Sequence, residues 1–157
     1  WASVMVPTSL PPLQHSSHFL WPIPYPSFAH GLQNMAETPA IALCNSADLL
    51  NSGDAVPFDV VYCGRTSRGF AIRFEGQVYG YLNQCAHVPM EMDYQPNRFF
   101  DDTGCWLLCA THGAVYAPDT GACVGGPGCG ALVKIALSES GGVVRWHPSE
   151  QLRPLAF

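Results

Sequence analysis

Cys85-Ala86-His87 and Cys109-Ala110-Thr111-His112 are the two short segments on which the reading of this chain turns. The first pair has one residue between Cys and His, the second has two, and the stretch from Val88 to Leu108 separates them. Two soft thiolates and two imidazoles make a four-donor set, and nothing else in the chain competes with it. Such short spacings keep each Cys and its His on one tight loop. Each loop can then offer one sulfur and one nitrogen to a common centre. A set of this composition fits tetrahedral zinc or an iron–sulfur cluster. A lone Cys or His is usually an ordinary core or surface residue. Two ordered pairs, followed by Gly113 and by Gly125-Gly126-Pro127, are much harder to reach by accident.

Those residues together resemble the Rieske [2Fe–2S] family, over roughly Ala40 to Arg145. In that family two His replace two Cys on one of the two irons, which raises the reduction potential. The resemblance implies that Cys85 and Cys109 hold the inner iron and that His87 and His112 hold the outer iron near the surface. It also implies that the Gly125-Gly126-Pro127 segment covers the cluster. The implied fold is an all-β, antiparallel β-sandwich with a small cluster-binding subdomain. The domain is expected over 40–147 and its subdomain over about 84–130.

The implied activity is one-electron transfer. The [2Fe–2S] cluster would serve as a ferredoxin-like carrier between a ferredoxin reductase and a terminal oxygenase or similar enzyme. The two imidazoles would be the electron exit, and loss of their free protons on oxidation would make the potential fall as pH rises. Backbone N–H groups of both loops are expected to point at the sulfurs.

Departures from the family's patterns refine this. High-potential members carry two further Cys that form a disulfide, but here Val88-Pro89-Met90 and Ala110-Thr111 fill those places. The serine that donates to a bridging sulfur is replaced by Ala114, while Tyr116 is a counterpart of the tyrosine that donates to a ligand sulfur. A strand aromatic facing the core is an equal reading of Tyr116. Fewer donors place the expected potential at the low end of the Rieske range, about −150 mV or somewhat above.

Composition bounds the rest. A chain of 157 residues with 12% charged residues, 15 Gly and 14 Pro points to one turn-rich all-β domain. A net charge of −5 argues against nucleic acid and suits a basic redox partner. Cys85 and Cys109 leave Cys44, Cys63, Cys105, Cys123 and Cys129, an odd number that cannot all pair. A reducing, cytoplasmic setting is therefore expected. Cys123 and Cys129 flank the Gly-Gly-Pro segment and are expected as free thiols, and Cys105 as a packed one.

Residues 1–39 are proline-rich at the start and are expected to be a disordered leader, with native synthesis beginning at Met35. No apolar run is long enough to span a bilayer, so no membrane partner is expected. A first strand is expected over Ile41–Cys44, a capped turn over Ser46–Leu50 with Ser46 as cap, and a strand over Val56–Cys63. Arg65–Gly69 reads as a polar turn, and Phe70–Phe74 with Val78–Leu82 as a hairpin that delivers the chain to Cys85.

Arg98–Phe100 with Cys105–Leu108, Ala114–Tyr116 with Ala122–Val124, and Leu132–Leu137 with Val143–Trp146 read as further hairpins. Residues 148–157 read as a tail. Glu91, Asp93, Asp101 and Asp102 make the intervening loop acidic, more in the manner of a solvated loop than a docking patch.

Two other functions fit the same residues. One is a Rieske subunit of a multicomponent oxygenase or nitrite reductase system. Only eleven residues follow Trp146, with His147 the sole His among them, so the two-His-one-carboxylate iron site of an oxygenase is not expected in this chain. The other is a zinc-stabilised binding module.

Overall fold

A computed structural model describes residues 38–128 and 130–156. The proline-rich leader, the Met35 start and Cys129 lie outside the described residues. Eleven strands are present among them: β1 (Ile41–Asn45), β2 (Val56–Tyr62), β3 (Arg65–Phe74), β4 (Gln77–Leu82), β5 (Leu107–Leu108), β6 (Val115–Tyr116), β7 (Cys123–Gly125), β8 (Lys134–Ile135), β9 (Leu137–Ser140), β10 (Val143–Trp146) and β11 (Leu152–Arg153). They pair into a five-stranded sheet, β11-β2-β3-β4-β8, and two three-stranded sheets, β1-β10-β9 and β5-β6-β7. All strand pairs are antiparallel. The expected all-β antiparallel architecture is the observed one.

Successive side chains of a strand point to opposite faces of its sheet. In the centre of the five-stranded sheet both faces are apolar. Phe70, Ile72 and Tyr81 pack on one side with Met92, Phe99, Leu107, Cys85 and Cys109. Ala71 and Leu82, one residue out of step, belong to clusters on the other side, with Val144, Trp146 and Leu152. The sheet β1-β10-β9 closes this second core, and Phe58 meets Trp146 at a ring-centroid distance of 5.4 Å. On the first side Phe70 stacks on Phe99. Each large side chain removed from water in this way contributes about 1.5–3 kcal/mol.

Several boundaries differ from expectation. Arg65–Gly69 is not a turn but the first half of β3, paired with β2 throughout. The turn is Cys63-Gly64, with φ of 48° and 77°, the left-handed pair that a two-residue hairpin needs. Polarity misled the reading: the strand extends past the buried part of the sheet, so its outer residues face water. The 3-10 turn spans Ser46–Asp48 with Asn45, not Ser46, in the capping position, because the Asp48 carboxylate accepts the Asn45 N–H at 3.2 Å. The Ser46 hydroxyl bonds Glu139 instead. The last hairpin is tighter than expected, turning at Gly141-Gly142 between β9 and β10. Leu152–Arg153, within the expected tail, pairs with Tyr62 and Val61, and Leu152 is buried.

Candidate metal centre

The donor residues sit on two loops that leave strands of different sheets. β4 ends at Leu82, whose N–H bonds Val133 O at 2.9 Å, and Asn83 and Gln84 lead into Cys85. The loop closes on itself where Cys85 N–H bonds Met90 O at 2.9 Å. The second loop leaves β5 and is pinched by Cys109 N–H to Ala114 O at 2.8 Å and Gly113 N–H to Cys109 O at 2.9 Å. Gly113 takes φ of 75°, so the residue after His112 has the conformational freedom this turn requires.

Both thiols are buried, Cys85 at 2% exposure and Cys109 at none. Both imidazoles lie nearer the surface, and their ring centroids are 5.1 Å apart, edge to face. The structure therefore holds the two thiols in the core and sets the two imidazoles side by side toward the surface. Among the described residues no three His, Cys, Asp or Glu side chains are gathered closely enough to hold a single metal ion.

The surroundings favour negative charge on the Cys85 sulfur. Burial pushes the Cys85 thiol up, but Tyr116, the N–H groups of Val88 and His87, and the Cys109 thiol outweigh it and leave Cys85 below its ordinary value. Cys109 stays above its ordinary value, by burial first, although the N–H groups of Thr111 and His112 point at its sulfur. Those four N–H groups are the donors expected of the two loops.

Tyr116 is fully buried, and its Oη lies 3.2 Å from Cys85 Sγ and 3.1 Å from Ala86 N. Ala86 N–H donates to that oxygen, which leaves the phenolic proton for the sulfur. Burial, then the sulfur itself, push the Tyr116 phenol well above its ordinary value, so it keeps the proton it donates. Both readings of Tyr116 hold at once, since its ring belongs to the core and its hydroxyl meets Cys85. The thiols with their inward N–H donors, and the imidazoles beyond them, fit an iron–sulfur group.

The Gly-Gly-Pro segment lies against the second loop. A Cβ on Gly126, at φ of 76°, would come 2.2 Å from Gly113 O. A Cβ on Gly128 would come 2.7 Å from the sulfur of Cys123, which is neither Cys85 nor Cys109. Ala114 is completely buried.

Cys105 is exposed, not packed, because it occupies the tip of the short hairpin bridged at Phe100 and Leu107. Of the four acidic residues in the intervening loop, two are used internally. Asp93 accepts from Asn83 and Asn97, and Asp101 accepts from Thr103, Cys105 and Trp106. Sequence reasoning missed Asn83, the buried amide two residues before Cys85. Its position at a strand end was visible, but its partners lie nine and ten residues away across an irregular loop.

The sequence matches the family model described as the Rieske [2Fe-2S] domain over residues 40–137. A search of the curated proteins returns no match. Among solved structures, the chain is similar to the ferredoxin of carbazole 1,9a-dioxygenase from Nocardioides aromaticivorans IC177, at 20% identity and a TM-score of 0.57, with 71% of this chain and 100% of that chain covered. It is similar to the Sphingomonas yanoikuyae B1 ferredoxin at 21% identity and a TM-score of 0.54, with 71% and 100% covered. A third, from a complex of reduced oxygenase and oxidized ferredoxin in carbazole 1,9a-dioxygenase, has 18% identity and a TM-score of 0.54, with 69% and 92% covered. At these identities the likeness is one of fold.

Proposed function

The chain belongs to the Rieske [2Fe–2S] domain family, and on that premise we propose that it is a one-electron carrier whose cluster is held by Cys85, His87, Cys109 and His112. When bound, the [2Fe–2S] cluster supplies the chemistry, taking up and giving back one electron. The protein's part is to bind and to shield. Cys85 and Cys109 carry the sulfur donors inside the core, where Met92, Leu107 and Tyr116 exclude water. His87 and His112 carry the nitrogen donors toward the surface.

The observation that carries the reading is this polarity of the site: thiols sealed, imidazoles outermost. It gives a partner protein one short route to the redox centre. Val88 and Met90, beside His87, are each 39% exposed and offer apolar surface for contact. The partners we propose are a reductase that supplies the electron and a terminal oxygenase or comparable oxidoreductase that accepts it. A related fold found with an oxygenase in carbazole 1,9a-dioxygenase supports the second of these. Among the described residues no helix is long and apolar enough to cross a membrane.

The test is electron paramagnetic resonance of the dithionite-reduced protein, with iron and sulfide analysis. The expected signal has the average g value of a His-ligated [2Fe–2S] centre rather than an all-Cys one. His87→Ala and His112→Ala are each expected to change the visible spectrum. Purified protein without acid-labile sulfide, or an unchanged spectrum in either variant, overturns the assignment.

A further inference from the structure

Asn83 is the one buried polar side chain of its kind among the described residues, at 7% exposure. Its amide is engaged at both ends. Oδ1 accepts the Met92 N–H at 2.8 Å, and Nδ2 donates to Asp93 Oδ1 at 2.7 Å. Only this orientation of the amide satisfies a donor on one side and a carboxylate on the other. The Asn83 N–H donates to Arg68 O at 2.7 Å, which anchors the residue to β3. The other oxygen of Asp93 accepts the Asn97 N–H at 2.9 Å, so Asp93 is itself held.

The chain of bonds continues beyond Asn83. Met92 is completely buried, and its carbonyl accepts the Ala110 N–H at 2.8 Å. Ala110 directly follows Cys109, and Asn83 stands two residues before Cys85. A strut therefore runs from one Cys-His loop to the other: Asn83 side chain, Met92 backbone, Ala110 backbone. The first loop is tied to the same segment through Cys85 N–H and Met90 O. A buried amide is costly unless its donors and acceptors are met, and the bond to a carboxylate is of the stronger, charge-assisted kind.

We propose that Asn83, braced by Asp93, is the positioning residue that fixes how far apart the two Cys-His loops stand, and so how firmly they hold their common cofactor. The inference rests on the assignment of Cys85, His87, Cys109 and His112 as the ligands. Removing the amide leaves the Met92 N–H and the Asp93 carboxylate without their partner. Replacing it by Asp puts two carboxylates face to face. Exchanging the two residues restores the bond in reverse. The amide then at position 93 can donate to the carboxylate then at position 83, and its oxygen can still accept the Asn97 N–H.

The experiment compares Asn83→Ala, Asn83→Asp and the exchanged double variant Asn83→Asp with Asp93→Asn against the parent holoprotein. Three readouts are taken: bleaching of the visible bands in chelator, the midpoint potential, and hydrogen exchange at the Met92 and Ala110 amides. Both single variants are expected to bleach about tenfold faster or more, the loss of one buried bond expressed as a rate. A shifted potential and faster exchange at both amides are expected with it. The double variant is expected to return to within about twofold of the parent.

A single variant that folds and keeps the parent's bleaching rate and potential overturns the proposal. So does a double variant no better than Asn83→Asp, whether through misfolding or through loss of colour. A parent protein that never carries iron and sulfide would fault the ligand assignment instead.

Discussion

One oxygen, the Tyr116 Oη, accepts the Ala86 N–H and turns its own proton to the Cys85 sulfur, joining backbone order to the proposed redox site in a single atom. The donated proton stabilises added negative charge on Cys85. Tyr116→Phe is expected to lower the midpoint potential by about 60 mV, the equivalent for one electron of a bond worth about 1.4 kcal/mol. Redox titration of the variant checks it, and an unchanged value would remove the donor role. The buried methyl of Ala114 supplies no second hydroxyl. We therefore expect the parent protein near the low end of the Rieske range, about −150 mV or somewhat above, and a value beyond about +200 mV contradicts this. Tyr116 was legible because it stands four residues after His112, on a strand. Asn83 was not, because a buried amide leaves no periodic trace in a sequence and its partners are set by the path of a loop.

Among the elements, the strand ends that lead to the two loops, at Leu82 and Leu108, were read where they are observed, but the first half of β3 and the pairing of β5 with β6 were not. β11 went unread because two residues between prolines carry no period. Arg73 was likewise invisible. Its Nε bonds Leu49 O, and its two terminal nitrogens reach Ser46 O, Gly76 O and both oxygens of Glu139. One guanidinium thus ties the 3-10 turn, the β3–β4 turn and β9 together. Arg73→Ala is expected to cost about 2 kcal/mol in denaturant unfolding, since it leaves several carbonyls short of a donor.

The hydrogen bond from Arg73, then that from Ser46, depress the Glu139 carboxyl to about 2. A carboxyl lowered in the folded state stabilises above its unfolded value, near about 4.3, and that contribution disappears as pH falls toward 2. The carboxylate is partly solvated, so the contribution is about 1 kcal/mol or less. Glu139→Gln is expected to flatten the loss of stability across that window, and an unaltered acid limb counts against the ion pair. At the other end, Gly126→Ala drives a methyl into Gly113 O and must lift the Gly-Gly-Pro segment. Faster bleaching of the visible bands is expected, by about tenfold or more.

At the scale of the whole fold, the two faces of the five-stranded sheet build separate cores among the described residues. One face, with β1-β10-β9 and β11, forms a core that contains none of the four proposed ligand residues. The opposite face carries the core that includes Cys85 and Cys109. The split follows from period-two alternation in Phe70-Ala71-Ile72 and Tyr81-Leu82, so a one-residue slip of register would exchange the two cores. Stability and redox tuning are then expected to respond separately to mutation. Leu152→Ala, in the core without ligands, removes a side chain 6% exposed, and Leu107→Ala removes one fully buried on the strand that enters Cys109. Each is expected to cost about 2–5 kcal/mol through lost burial and the cavity left behind. Only Leu107→Ala is expected also to shift the midpoint potential and to speed bleaching, because its cavity lies beside the ligand loops. Thermal unfolding together with redox titration of both variants decides the matter. If Leu152→Ala moves the potential as far as Leu107→Ala does, the sheet does not insulate the site, and the two cores act as one.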